Sequence, residues 1–220
     1  VAVAPEIPAL RIEGTAPGDP VPVWTLVATL HGPAPAYAGP GGAPDGTVPG
    51  SWYGAPSALP VIGAANGFVE VRKAQRPNGS TAWVPEQDVT LAKTYDRIVV
   101  HVATTRLDWY HQGKLVMDAP AGVGTPDDPT PQGQFFLTFQ APPPDPGYGP
   151  VVLVTSAHSD TITDWEGTGD AIVAIHGPLG ADAEIGTTGA AISHGCVRLH
   201  DADLARLESV PSGTLIDVAP

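Results

Sequence analysis

What most limits the folding of this chain is its load of helix-breaking residues: 26 prolines and 26 glycines among 220 positions. Proline removes a backbone donor and clashes with the preceding helical turn. Glycine loses the most backbone entropy on ordering. Long helices are therefore disfavoured, and short strands joined by frequent turns are favoured. Hydrophobic residues make up 42% of the chain, enough to build a packed core, which argues against global disorder. The expectation is a mainly β protein of one large or two small domains.

The pattern along the chain supports three parts. Residues 1–23, with Pro5, Pro8, Pro17, Pro20 and Pro22, read as a Pro/Ala-rich extended tail. Residues 24–93 show short apolar runs split by turns. Strands are expected at 23–30, 57–63, 67–73 and 81–85, with a Pro/Gly loop over 34–50 and a hairpin turn at Asn78-Gly79. Such spacing suggests a small barrel. Tyr37, Trp52 and Tyr53 either line a ligand groove or pack within this unit. A linker at 93–96 leads into a second unit, 94–220. Its strands are expected at 97–102, 106–111, 115–122, 134–139 and 214–218, with a Pro-dense surface loop over 141–149. His101 and His111 alternate with apolar residues and are expected to face solvent. The one convincing helix starts at Asp201, its expected cap, with Leu204, Leu207 and Val210 on one face and Pro211 as its stop.

Net charge is −13, unevenly spread. Residues 1–93 carry five basic and seven acidic side chains, whereas residues 94–220 carry five and sixteen. An acidic domain lacks the electrostatic footprint of a nucleic-acid binder and the basic patch of an anionic-lipid binder. The acidity serves either solubility or a preference for amine-bearing substrates. No apolar run is long enough to span a membrane. The chain begins with Val, which suits a processed N-terminus, and an extracytoplasmic location after removal of a leader is the expectation.

Chemistry concentrates in Ser193-His194-Gly195-Cys196-Val197-Arg198, which holds the one cysteine of the chain. A second histidine, His176, follows the apolar run Ala171-Ile172-Val173-Ala174-Ile175. A lone thiol with histidines elsewhere in the chain is a nucleophile pattern. Thiolate attacks a carbonyl carbon, imidazole moves the proton, and backbone N–H groups beside a glycine hold the oxyanion. The alternative for Cys196 is inert burial, against which its polar neighbours argue.

Four blocks in order resemble the L,D-transpeptidase catalytic domain, the YkuD-type fold, from about Tyr95 to Val218. They are Arg106-Leu107-Asp108-Trp109-Tyr110 with Gly113-Lys114; the Gly122-Val123-Gly124-Thr125 to Pro129-Thr130-Pro131-Gln132-Gly133-Gln134-Phe135 stretch; Ile175-His176-Gly177; and the Ser193–Arg198 signature. Ahead of them, Gly67-Phe68-Val69-Glu70-Val71 and Asn78-Gly79-Ser80-Thr81-Ala82-Trp83-Val84 resemble the bacterial SH3-like barrels of cell-envelope proteins, with Ala82 where that family has glycine. The resemblance implies a YkuD-like β-sandwich with one or two short helices, preceded by a small SH3-like β-barrel.

It also implies roles. Cys196 is the nucleophile and His176 its base, with the Gly177 carbonyl orienting the ring. N–H groups around Gly195 and Cys196 form the oxyanion site. Arg198 either clamps a substrate carboxylate or makes an internal ion pair. His194 either shares the base role or shapes the pocket. Ser193 is a hydrogen-bonding support, grouped with Arg198 and Tyr148 as substrate-binding. Tyr148, His158 and Trp165 lie where the family places a lid, and Tyr148 is carried forward as a substrate contact. The implied reaction is acyl transfer on peptidoglycan stem peptides in cell-wall crosslinking, with carbapenem β-lactams as inhibitors and no cofactor or metal. Water as acceptor gives an L,D-carboxypeptidase instead. Three rivals fare worse. In NlpC/P60-type peptidases the cysteine precedes the histidine, the reverse of the order here. A zinc site at Cys196, His176 and His194 lacks a completing ligand. A binding module without catalysis does not need both nucleophile and base.

Overall fold

The computed structural model describes residues 21–187 and 189–220; most of the expected tail, residues 1–20, lies outside the described residues. The first unit consists of β1 (Thr25–Leu30), β2 (Ala34–Tyr37), β3 (Pro44–Val48), the short pair β4 (Ser51–Trp52) and β5 (Ala55–Pro56), β6 (Ala58–Ala65), β7 (Phe68–Arg72), β8 (Thr81–Pro85) and β9 (Val89–Thr94). Seven of these form an antiparallel sheet in the order β3-β2-β8-β7-β6-β1-β9, and β4 pairs with β5 apart from it. The expected Pro/Gly loop over 34–50 in fact contains β2 and β3. Their prolines, Pro35 and Pro44, lie on strands near one edge of the sheet, where a missing N–H costs least.

The second unit contains β10 (Asp96–His101), β11 (Arg106–His111), β12 (Lys114–Pro120), β13 (Val123–Gly124), β14 (Gly133–Ala141), β15 (Val152–His158), β16 (Ile172–His176), β17 (Ala191–Ser193), β18 (Val197–Arg198), α1 (Asp201–Arg206) and β19 (Leu215–Ala219). Eight strands pair in the order β12-β11-β10-β19-β14-β15-β16-β18. The described residues are thus mainly β with one α-helix. His200 is the residue preceding α1, and Asp201 lies in the first turn rather than capping it. Leu204, Leu207 and Val210 are buried together in the main core with Ile98, Phe135, Leu137, Leu153 and Ile175.

Only Tyr95 separates β9 from β10, so the expected linker is a strand-to-strand junction. The units also share buried side chains. Phe136 and Leu215 of the second sheet complete the core of the first. Beside them Arg72 Nε donates to Gln134 Oε1 at 2.9 Å, Gln134 Nε2 donates to Asp217 Oδ1 at 2.9 Å, and Arg97 Nε donates to Asp217 Oδ2 at 2.6 Å. A charge chain of this kind is tolerated in the interior because each member finds partners.

His101 is buried rather than solvent-facing, with Nε2 3.2 Å from Asp108 Oδ2. Both faces of β10 are covered: Ile98 and Val100 point into the main core, while Val99 packs against Val21 and Tyr110. His111 is exposed as expected and pairs with Asp96.

Candidate active site

Parallel pairing of β16 with β18 sets Ile175 opposite Val197 and His176 opposite Arg198. One residue earlier, the Ala174 N–H meets Cys196 Sγ at 3.4 Å. Strand side chains alternate by face, so Ala174, His176, Cys196 and Arg198 point the same way. All four line one cavity of about 310 Å³.

The turn that delivers the sulfur is held by a serine. Ser193 Oγ donates to the Cys196 carbonyl at 2.5 Å and accepts from the Gly195 N–H at 3.1 Å. Gly195 has φ +110°, a conformation side chains oppose. The Gly195 N–H thus donates to Ser193 in this arrangement.

His176 is buried, and its Nδ1 lies 2.8 Å from the Gly177 carbonyl. A carbonyl only accepts, so Nδ1 carries the hydrogen and Nε2 holds the free lone pair. Burial lowers the pKa of His176 to about 4, despite the Gly177 bond, and the Arg198 charge adds to the drop. The ring is a neutral base at physiological pH. Gly177 must be glycine because a Cβ there would stand 2.6 Å from the Gly149 nitrogen and the Tyr148 carbonyl carbon.

Burial pushes the Cys196 thiol up, while the Ala174 N–H and the Arg198 charge pull it down by less. The resting pair is therefore thiol and neutral imidazole. Tyr148 lies beside this pair, its ring 4.8 Å from His176. Its phenol is pushed up by burial and then by Cys196. Arg198 is half-buried; its Nη1 makes one long bond, 3.4 Å, to the Pro178 carbonyl, and its Nε is buried without an acceptor among the described residues.

His194 stands at the exposed rim, its ring 5.3 Å from that of Trp165. Trp165 belongs to the loop over 159–171, whose Ile162 and Thr168 also line the cavity. His158, expected in the lid, is instead almost fully buried behind it. Its Nε2 donates to the Ala74 carbonyl at 2.8 Å and its Nδ1 lies 2.8 Å from Asp170 Oδ2. The first unit also grips the loop from outside. Arg76 bonds Asp170 Oδ1 at 2.8 Å, the Ser159 carbonyl at 2.9 Å and the Ile162 carbonyl at 3.1 Å. Asn78 exchanges two hydrogen bonds with the His158 backbone.

The model of the L,D-transpeptidase catalytic domain (YkuD) matches residues 95–218, which hold Cys196, His176 and the loop. The chain belongs to the L,D-transpeptidase family. A curated relative, the putative L,D-transpeptidase YkuD of Bacillus licheniformis, is 30% identical over 125 residues, covering 56% of this chain and 66% of that protein. Among solved structures, an L,D-transpeptidase from Mycobacterium smegmatis is similar at 23% identity and TM-score 0.42, over 72% of this chain and 93% of its own. The L,D-transpeptidase LdtMt1, solved in complex with imipenem, is similar at 16% identity and TM-score 0.46, over 73% and 89%.

One cavity-lining residue of this family member lies outside the matched stretch: Tyr53, from the first unit. Sequence reading placed it only in a groove-or-packing group with Tyr37 and Trp52. Those two pack, Tyr37 edge-on to Phe68 and Trp52 against the first core.

Proposed function

We propose that this protein is a peptidoglycan L,D-transpeptidase with a cysteine nucleophile. One observation carries the reading: Cys196 Sγ and the oriented, neutral His176 open onto the same cavity. In the first half-reaction His176 Nε2 takes the Cys196 proton as sulfur bonds to the carbonyl carbon of the third stem residue. The Cys196 N–H is the assigned oxyanion donor, because the Gly195 N–H is engaged elsewhere. The carbon–nitrogen bond to the terminal D-alanine breaks, His176 returns the proton to that amine, and a thioester remains. A side-chain amine of a second stem attacks the thioester and gives its proton to His176. The sulfur leaves and is reprotonated.

Arg198 binds a substrate carboxylate: its Nε lacks an acceptor, and it is the cation lining an acidic protein's cavity. Ser193 holds the nucleophile turn, Tyr148 walls the base, and His194 supports the lid through Trp165. The solved relative holding imipenem supports carbapenem acylation at Cys196. The first unit is read as a cell-envelope SH3-like domain and the protein as extracytoplasmic.

The test is mass spectrometry of disaccharide-tetrapeptide incubated with wild type and Cys196→Ala. Wild type releases D-alanine and forms crosslinked dimer; the variant forms neither. Equal product from both proteins overturns the mechanism, and D-alanine release without dimer assigns a carboxypeptidase.

A further inference from the structure

Tyr53 occupies a position that its backbone disfavours. It and Gly54 form the two-residue turn between β4 and β5, with φ +47° and +84°. Both central residues of such a turn need positive φ, which suits Asn-Gly and strains a bulky side chain. Here the strained position carries a tyrosine. Tyr53 is 72% exposed, yet its ring is anchored, 5.7 Å from Trp52 edge-on and 5.9 Å from Phe139.

Phe139 is itself re-aimed. Regular alternation in β14 would send it into the core with Phe135 and Leu137. A register shift between Leu137 and Phe139 turns it to the opposite face instead. On that face Phe139 pairs with Val154, Val154 pairs with Ala174, and the Ala174 N–H meets the nucleophile. These half-buried side chains make an apolar floor running across four strands from Tyr53 to Cys196. At about 4.8 Å per strand, Tyr53 stands above a point roughly 14 Å from the sulfur.

We propose that Tyr53 is a specificity residue that stacks on the amino sugar bearing the stem peptide. The inference rests on the transpeptidase reading. With the third-residue carbonyl at Cys196, three extended residues at about 3.3–3.6 Å each lead back roughly 10 Å along the stem. The ether link to the sugar adds a few ångströms, which brings the pyranose ring to Tyr53. Its face of C–H bonds meets the electron-rich face of the phenol ring.

The experiment compares disaccharide-tetrapeptide with the same tetrapeptide lacking sugar. Wild type prefers the glycosylated substrate. Tyr53→Asn, which tolerates the left-handed backbone, loses about five- to tenfold in kcat/KM on it through KM and no longer separates the two substrates, whereas Tyr53→Phe retains the preference. An unchanged ratio of the two substrates in Tyr53→Asn overturns the proposal, whether both rates fall together or neither does. The same pair is titrated by NMR into Cys196→Ala and into Cys196→Ala with Tyr53→Asn. This arm reads the subsite without turnover, and a sugar-dependent gain in affinity that Tyr53→Asn leaves intact also overturns it. Absence of turnover in wild type counts against the reaction instead, and the titration still decides the subsite.

Discussion

The two walls of the cavity are built differently. One is made of strands: Cys196, His176 and Arg198 hang from paired backbone whose ladders fix their spacing. The other is the loop over 159–171, held largely by side chains from the first unit, with Arg76 and Asn78 outside and the Ala74 carbonyl against His158. The proposed reacting groups depend on local pairing within the second sheet. The position of the wall that faces them depends on residues some 80 positions away in the chain. If this division holds, changes to the strand wall act on the chemical step, and changes to the clasp act on substrate capture.

The largest effect belongs to the strand wall. His176→Asn removes the base while leaving a polar side chain of related shape. The expected loss in acylation is about 10²- to 10⁴-fold in kcat with little change in KM, measured by single-turnover thioester formation. A loss below tenfold breaks the assignment of His176. The wild-type pH profile sharpens it. With neutral imidazole and thiol as the proposed active pair, the acid limb is expected near 4, where His176 protonates, and not near 6.5. An acid limb at 6.5 in carbapenem acylation shows that the ring is not desolvated as described.

A smaller effect, of another kind, belongs to the clasp. Arg76→Ala deletes three hydrogen bonds to the loop, two of them to backbone carbonyls. Arg76 is partly exposed, so the cost in global stability is about 1 kcal/mol. The expected kinetic result is a several-fold rise in KM with kcat within about twofold, and faster amide hydrogen exchange confined to 159–170. Arg76→Lys does not rescue, because a point charge cannot reach three divergent acceptors. If kcat falls as far as KM rises, the two walls are not separable.

The strand wall was legible in the sequence and the clasp was not, for a physical reason. A thiol, an imidazole and a glycine turn announce their chemistry by residue type, and the alternating strands around them fix their faces. His158 carries the same imidazole but owes its place to Ala74 and Asp170, partners that nothing local in the sequence reveals. His101 was misread because alternation assumes one wet face, and here Val21, Tyr110 and Asp108 cover the second face. The hydrogen bond from the Gly195 N–H to the hydroxyl two residues back was likewise not foreseen, because spacing alone does not fix a turn's internal bonding. Tyr53 did leave a signal, an aromatic where a tight turn favours Asn. The loop placing β2 and β3 is rich in Pro and Gly and hid two strands that edge positions tolerate.

The smallest expected effect concerns the charge that closes the clasp. Burial works against the Asp170 carboxylate, but the Arg76 hydrogen bond, the adjacent His158 ring and the Ala171 N–H outweigh it and hold its pKa below the usual range. A carboxyl whose folded pKa is depressed contributes stability above its unfolded pKa and loses it as pH falls through the folded value. The clasp therefore keeps its full contribution at neutral pH and weakens below about pH 4. His176 adds a separate acid sensitivity between its unfolded value of 6.5 and about 4, because the unfolded chain takes up that proton first. Comparing wild type with Asp170→Asn cancels the His176 contribution, which both proteins share. The expected difference in Tm is about 2–4 °C near pH 7, unchanged down to about pH 4, and shrinking below it. A difference that already shrinks well above pH 4 shows that Asp170 is not the titrating group.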